Sequence, residues 1–117
     1  MKNIYRRALV YFNTEQAGIL EEIESGYRFT YNSDFIKIHI PISVSLPLKN
    51  EPYESTELFP FFEGILPEGA YLKIITSRFK IDKEDLFGIA LKTCKETIGA
   101  ISIKEILWAD AVSAQKL

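Results

Sequence analysis

The sequence has very little of what usually carries chemistry. Its 117 residues include one cysteine, one histidine, one tryptophan and one methionine. With Cys94 alone, an intrachain disulfide is excluded, which fits a reducing, cytoplasmic setting. Lys92 and Lys95 flank Cys94 but nothing nearby supplies a base, so it reads as a half-buried helix cysteine. His39 has no second histidine or cysteine beside it, which argues against a metal site and a histidine-based triad. There is no Gly-x-Gly-x-x-Gly, no Walker loop and no kinase catalytic loop. No apolar run approaches the ~18 residues of a membrane helix. Ala8 to Phe12 is too short for a signal-peptide core. Positive charge is not in excess either: 14 basic residues face 16 acidic ones, for a net charge of −2. That balance offers no basic stripe for nucleic acid. The short cluster Lys2, Arg6, Arg7 is explained by a solvated N-terminus at least as well as by phosphate binding.

What is present is the composition of a folded domain. Hydrophobic residues make up 47% and aromatics 13%, enough for a core without disulfides or metals. The length favours a single domain over 1–117, with its body at about 5–103 and a tail at 104–117. Ala8–Phe12 and Ala17–Glu22 flank the turn Asn13–Gln16, as in a hairpin. Tyr27, Phe29 and Tyr31 alternate with Arg28 and Thr30, the period of a half-buried strand. Asn32-Ser33-Asp34 stops it. Phe35–Ile40 is read as an extended strand or an edge-crossing loop. Pro41–Leu48 is read as a strand bracketed by prolines, with Ile42, Val44 and Leu46 on one face and Ser43 and Ser45 on the other. Lys49–Glu57 is read as a polar loop, with Ser55 and Thr56 capping the turn near Leu58.

The ten residues Pro60 to Gly69 hold two aromatics, two prolines, two glycines and the carboxylates Glu63 and Glu68. Phe61, Phe62, Ile65 and Leu66 suggest a short helical turn with one apolar face. Pro67 suits the first turn of the helix expected over Glu68–Phe79. On that helix Tyr71, Ile74, Ile75 and Phe79, flanked by Leu72, make an apolar stripe, with Lys73, Ser77 and Arg78 outward. A further helix is expected to start with Asp82 as its N-cap, Asp85 at the third position and Ile81 stapled to Leu86. It runs to about Lys95 with Leu86, Phe87, Ala90, Leu91 and Cys94 inward. Thr97–Ile103 reads as a last strand. Ile106, Leu107 and Trp108 in the tail either dock on the body or join a partner surface. Strands followed by helices indicate an α+β fold, an antiparallel sheet of about five strands packed with two to three helices.

Six motifs occur in order: Ala17-Gly18-Ile19-Leu20, Tyr27-Arg28-Phe29-Thr30-Tyr31, Pro41-Ile42-Ser43-Val44-Ser45-Leu46-Pro47-Leu48, Pro60-Phe61-Phe62-Glu63-Gly64-Ile65-Leu66-Pro67-Glu68-Gly69, Asp85-Leu86-Phe87 and Gly99-Ala100. Together they resemble the N-terminal subdomain of the HipA family of serine/threonine kinases, over roughly residues 5–103. In those kinases a much longer core follows, with the ATP loop, catalytic base and metal-binding residues. This sequence ends at Leu117, about where the next subdomain would begin, so it looks like the small stand-alone HipS antitoxins of HipB–HipS–HipT systems.

The resemblance implies a protein that binds and inhibits a HipT-like kinase toxin, uses no cofactor and does no chemistry itself. A HipB-like helix-turn-helix DNA-binding protein would join through the complex. The alternative is a detached subunit that completes or activates a split kinase. A third reading, an enzyme using Glu63/Glu68 or Ser43/Ser45, lacks a nucleophile–base pair. In the family an aromatic, often tryptophan, commonly follows the Leu-Pro-Glu-Gly turn. Here Ala70 and then Tyr71 stand there. The expected partner interface is Phe62, Glu63, Pro67, Glu68, Gly69, Ala70 and Tyr71. The ordinary alternative is a structural corner with Tyr71 in the core and the interface on the sheet or on Trp108.

Overall fold

The computed structural model describes residues 4–38, 40–94 and 100–106. Five strands form one antiparallel sheet: β1 Ile4–Phe12, β2 Glu15–Ile23, β3 Gly26–Tyr31, β4 Tyr53–Ser55 and β5 Ile101–Ile106. Their spatial order is β4-β3-β2-β1-β5. Four helices accompany it: α1 Ser33–Ile38, α2 Pro60–Gly64, α3 Gly69–Phe79 and α4 Leu86–Thr93. The fold is α+β, with one or two more helices than the apolar patterning suggested.

Strand pairing follows the period of two. Ala8, Leu20, Phe29 and Tyr53 lie in one cross-strand row. Ala8, Leu20 and Phe29 are fully buried under α2 and α4, whose Phe62, Phe87, Ala90 and Leu91 complete the core. Phe29 is the hub, with ring centroids 4.9 Å from Tyr31 and 5.5 Å from Phe62. An adjacent row of opposite facing holds Arg7, Glu21, Arg28 and Glu54. Glu21 accepts hydrogen bonds at 2.8 Å from both Arg7 and Arg28, so a buried carboxylate lies between two guanidinium groups across three strands.

Arg6 and Arg7 of the N-terminal basic cluster are therefore ion-paired on the sheet, while Lys2 lies outside the described residues. Arg7 belongs to that row, and Arg6 forks onto Glu22 at 2.8 and 2.9 Å and onto Asp85 at 2.7 and 3.1 Å. Its guanidinium also lies 5.2 Å from the centroid of the Phe87 ring, which stacks on Tyr27 at 6.0 Å. The Asp85-Leu86-Phe87 motif is thus the clasp that holds α4 to the sheet.

Five expectations are corrected. Phe35 lies in helix α1, not in a strand or loop. The Asn32 side chain accepts from Asp34 N–H at 3.0 Å, which turns the chain into a helix straight after β3. Phe35 then stacks on Tyr31. His39 is outside the described residues.

Pro41–Leu48 forms no strand. The chain turns at Ser43–Leu46, where Leu46 N–H reaches Ser43 O at 3.0 Å. The Tyr31 hydroxyl accepts from Ile42 N–H and donates to Leu46 O. Ser43 and Ser45 hydrogen-bond each other at 2.9 Å, and Val44 at the tip is 96% exposed while Leu46 is buried. The fourth strand forms instead within the expected polar loop, at Tyr53–Ser55.

The N-cap of α4 is Asp85 and not Asp82: the Asp85 carboxylate accepts from Gly88 N–H at 3.1 Å. Asp82 caps the preceding turn, accepting from Glu84 N–H at 2.9 Å. The last strand runs over Ile101–Ile106, starting four and ending three residues later than expected, so Ile106 is a buried strand residue. Leu107, Trp108 and residues 97–99 lie outside the described residues. Among the described residues no helix is long and apolar enough to cross a membrane.

Candidate docking corner

The corner between α2 and α3 is built by backbone restriction. Phe59 is the extended N-cap and Pro60 takes the first helical position, where a missing N–H costs nothing. Phe62 and Glu63 N–H groups both close onto Phe59 O, at 2.9 and 3.0 Å. The single turn ends with Ile65 N–H on Phe62 O and Leu66 N–H on Glu63 O. Pro67 follows, just outside α3, and Glu68 is the extended N-cap of α3. Gly69 then has φ +61°, a left-handed conformation that costs other residues about 1–2 kcal/mol. Two prolines and a left-handed glycine thus fix where α3 points.

The seven expected interface residues divide. Phe62 is fully buried, with its ring 5.2 Å from Phe61 and 5.5 Å from Phe29. It belongs to the core and supports the corner from beneath, so it offers no contact surface. Pro67 is half-buried, and Glu63, Glu68, Gly69, Ala70 and Tyr71 are exposed. Tyr71 is 57% exposed. It is therefore not a core residue of α3, as the ordinary alternative required. Glu68 makes no side-chain capping bond although it occupies the N-cap. Glu63 and Glu68 share a cavity of about 130 Å³ with Leu66, Pro67, Leu72, Leu86 and Ile89. The rest of that lining is aliphatic, so the two carboxylates meet no nucleophilic side chain there.

The apolar stripe expected on α3 splits in the same way. Ile75 is buried, but Ile74 is 57% exposed beside Tyr71. Adjacent helix positions diverge by ~100°, so Ile74 and Ile75 cannot both face the core. That divergence was the available signal for Ile74. Phe79 at the C-terminal end is partly exposed, with the Lys92 ammonium 5.7 Å from its ring centroid.

Elsewhere the chemistry is quiet. Cys94 is buried, and burial pushes its thiol pKa up, away from thiolate reactivity. Among the described residues no group of three histidine, cysteine, aspartate or glutamate side chains is placed to hold a metal ion.

Comparison with known proteins explains the frame around the corner. The family model described as "HipA N-terminal domain" matches residues 8–104. An uncharacterized protein of Haemophilus influenzae strain Rd is 33% identical over 105 residues, covering 90% of this chain and 97% of its own length. A solved structure described as "N-terminal domain of HipA toxin" superposes with a TM-score of 0.71 at 31% identity, over 92% of this chain and 99% of that one. The chain belongs to the HipA N-terminal domain family.

Proposed function

We propose that this protein is a non-catalytic antitoxin that docks on a HipT-like serine/threonine kinase and restrains it. The observation that carries the reading is Tyr71. It stands exposed just past a turn fixed by Pro67 and Gly69, one residue beyond Ala70, which occupies the position where the family commonly presents an aromatic, so Tyr71 takes that role. A large exposed aromatic is the type of anchor that dominates protein interfaces. The contact face is Glu63, Pro67, Glu68, Gly69, Ala70 and Tyr71, with Phe62 as its buried support. Membership of the HipA N-terminal family supports a kinase as partner. A relative matched over nearly its whole length supports a domain of this size as a working unit. A HipB-like helix-turn-helix protein would reach the chain through the kinase, in the cytoplasm.

The test is co-expression with a HipA-type kinase core that lacks its own N-terminal subdomain, scoring growth and co-purification together. Restored growth with a stable complex is expected. A complex with raised phosphorylation and worse growth would overturn inhibition in favour of an activating subunit.

A further inference from the structure

We infer that α3 is also the seat of a weak, two-fold symmetric dimer of this chain. Ala70, Tyr71, Ile74, Ser77 and Arg78 project from one side of α3, given ~100° per residue. Ala70, Tyr71 and Ile74 are all exposed. Charge is ordered along this face. Glu63 and Glu68 stand at its N-terminal end, Arg78 and Lys80 at its C-terminal end. The chain has four arginines. Arg6, Arg7 and Arg28 are all in ion pairs with sheet or α4 carboxylates. Arg78, Lys80, Glu63 and Glu68 form none among the described residues.

α3 is acidic at its N-terminal end and basic at its C-terminal end, with exposed Ala70, Tyr71 and Ile74 between the ends and Lys73 at the edge of that face, a charge order complementary to itself when run antiparallel. A two-fold axis at Ile74 sets that side chain against its own counterpart. It places Tyr71 beside Ser77 and Arg78 of the second copy, and Glu68 beside Arg78 and Lys80 of the second copy. This is the isologous geometry of a closed dimer, with tyrosine–arginine contacts among its stabilising terms. The same charge order suits the dipole of a lone helix, but a lone helix has no use for exposed Tyr71 and Ile74 between the charged ends.

The face is small. Eleven residues of α3 span about 16 Å at ~1.5 Å per residue. An interface of that length falls below the ~1,200 Å² of stable complexes, which makes the dimer a weak one. Tyr71 belongs both to this face and to the proposed kinase contact. On that reading dimer and kinase complex exclude each other, and the dimer stores the protein in a form that kinase displaces. The self-association itself does not depend on the kinase reading.

Sedimentation equilibrium of the isolated chain, at about 5–500 μM and two salt concentrations, tests the dimer without any kinase. A reversible monomer–dimer equilibrium that weakens with salt is expected. Ile74→Lys should abolish it with an unchanged circular dichroism spectrum. Glu68→Arg and Arg78→Glu should each weaken it about five-fold, and the double variant should recover it, because the swap restores opposite charges across the axis. A monomer throughout the range would overturn the proposal. So would a dimer indifferent to Ile74→Lys, or a charge swap that fails to restore association.

Discussion

Gly18 has no room for a side chain. A Cβ there would lie 2.3 Å from Thr30 O and 2.9 Å from the Phe29 ring. The strand row Val10, Gly18, Tyr31 lets the Phe29 ring close over the backbone. Gly18→Ala is expected to destabilise by about 2–3 kcal/mol, read as a lower urea midpoint at unchanged slope. Asp85 gives a second residue-scale outcome. Its hydrogen bonds with Arg6, together with the Gly88 N–H, hold its carboxyl below the usual range. A depressed folded value means stability that is present above about pH 4 and is lost as pH falls through the folded value. Asp85→Asn keeps the capping oxygen but removes the charge. The variant should therefore lose stability at neutral pH and show a shallower decline below about pH 4 than the wild type. Equal acid slopes in a pH series of urea melts would contradict the clasp.

At the scale of elements, the segment 41–48 shows how a pattern misleads. Ile42, Val44 and Leu46 alternate as a strand would, yet Pro41 and Pro47 remove ladder donors and the segment is held by a side chain. Tyr31 reaches it from β3, and burial pushes the Tyr31 pKa up, so its hydroxyl stays protonated to donate to Leu46 O. No local rule reveals a partner that lies at another point in the chain. Tyr31→Phe should cost about 1–3 kcal/mol and speed hydrogen exchange at Ile42, whose N–H gives to that hydroxyl. Retained protection at Ile42 would contradict the clamp. The stripe on α3 offers a paired comparison. Ile75→Ala should cost about 2–3 kcal/mol, whereas Ile74→Ala should stay within about 0.5 kcal/mol. Similar losses at both positions would mean that α3 is turned differently.

Across the whole molecule, five of the six motifs are assembly points of one core; in the sixth, Gly99 lies outside the described residues. Ala17 and Leu20 are fully buried, Tyr27 stacks on Phe87, Tyr31 clamps the 41–48 segment, Phe62 fills the hub and Asp85 clasps Arg6. The hairpin, the third strand, the α2 turn and the inward face of α4 follow directly from local periodicity. What was not legible depends on tertiary partners: β4 in a polar loop, the shift of the α4 cap from Asp82 to Asp85, and the exposure of Ile74. At the corner, residue type marked the turn but not the depth of each side chain. Phe62 and Tyr71 are both aromatic, and only the fold separates the buried ring from the exposed one.

That separation is the point to measure. Titration calorimetry of the chain against a HipA-type kinase core should be run with wild type, Tyr71→Ala and Glu68→Lys, each confirmed as folded. Wild-type binding should weaken at least about thirty-fold for Tyr71→Ala, the loss expected of an interface hot spot, and by a smaller, salt-sensitive factor for Glu68→Lys. Equal affinities for all three proteins would place the kinase contact elsewhere and contradict the docking corner.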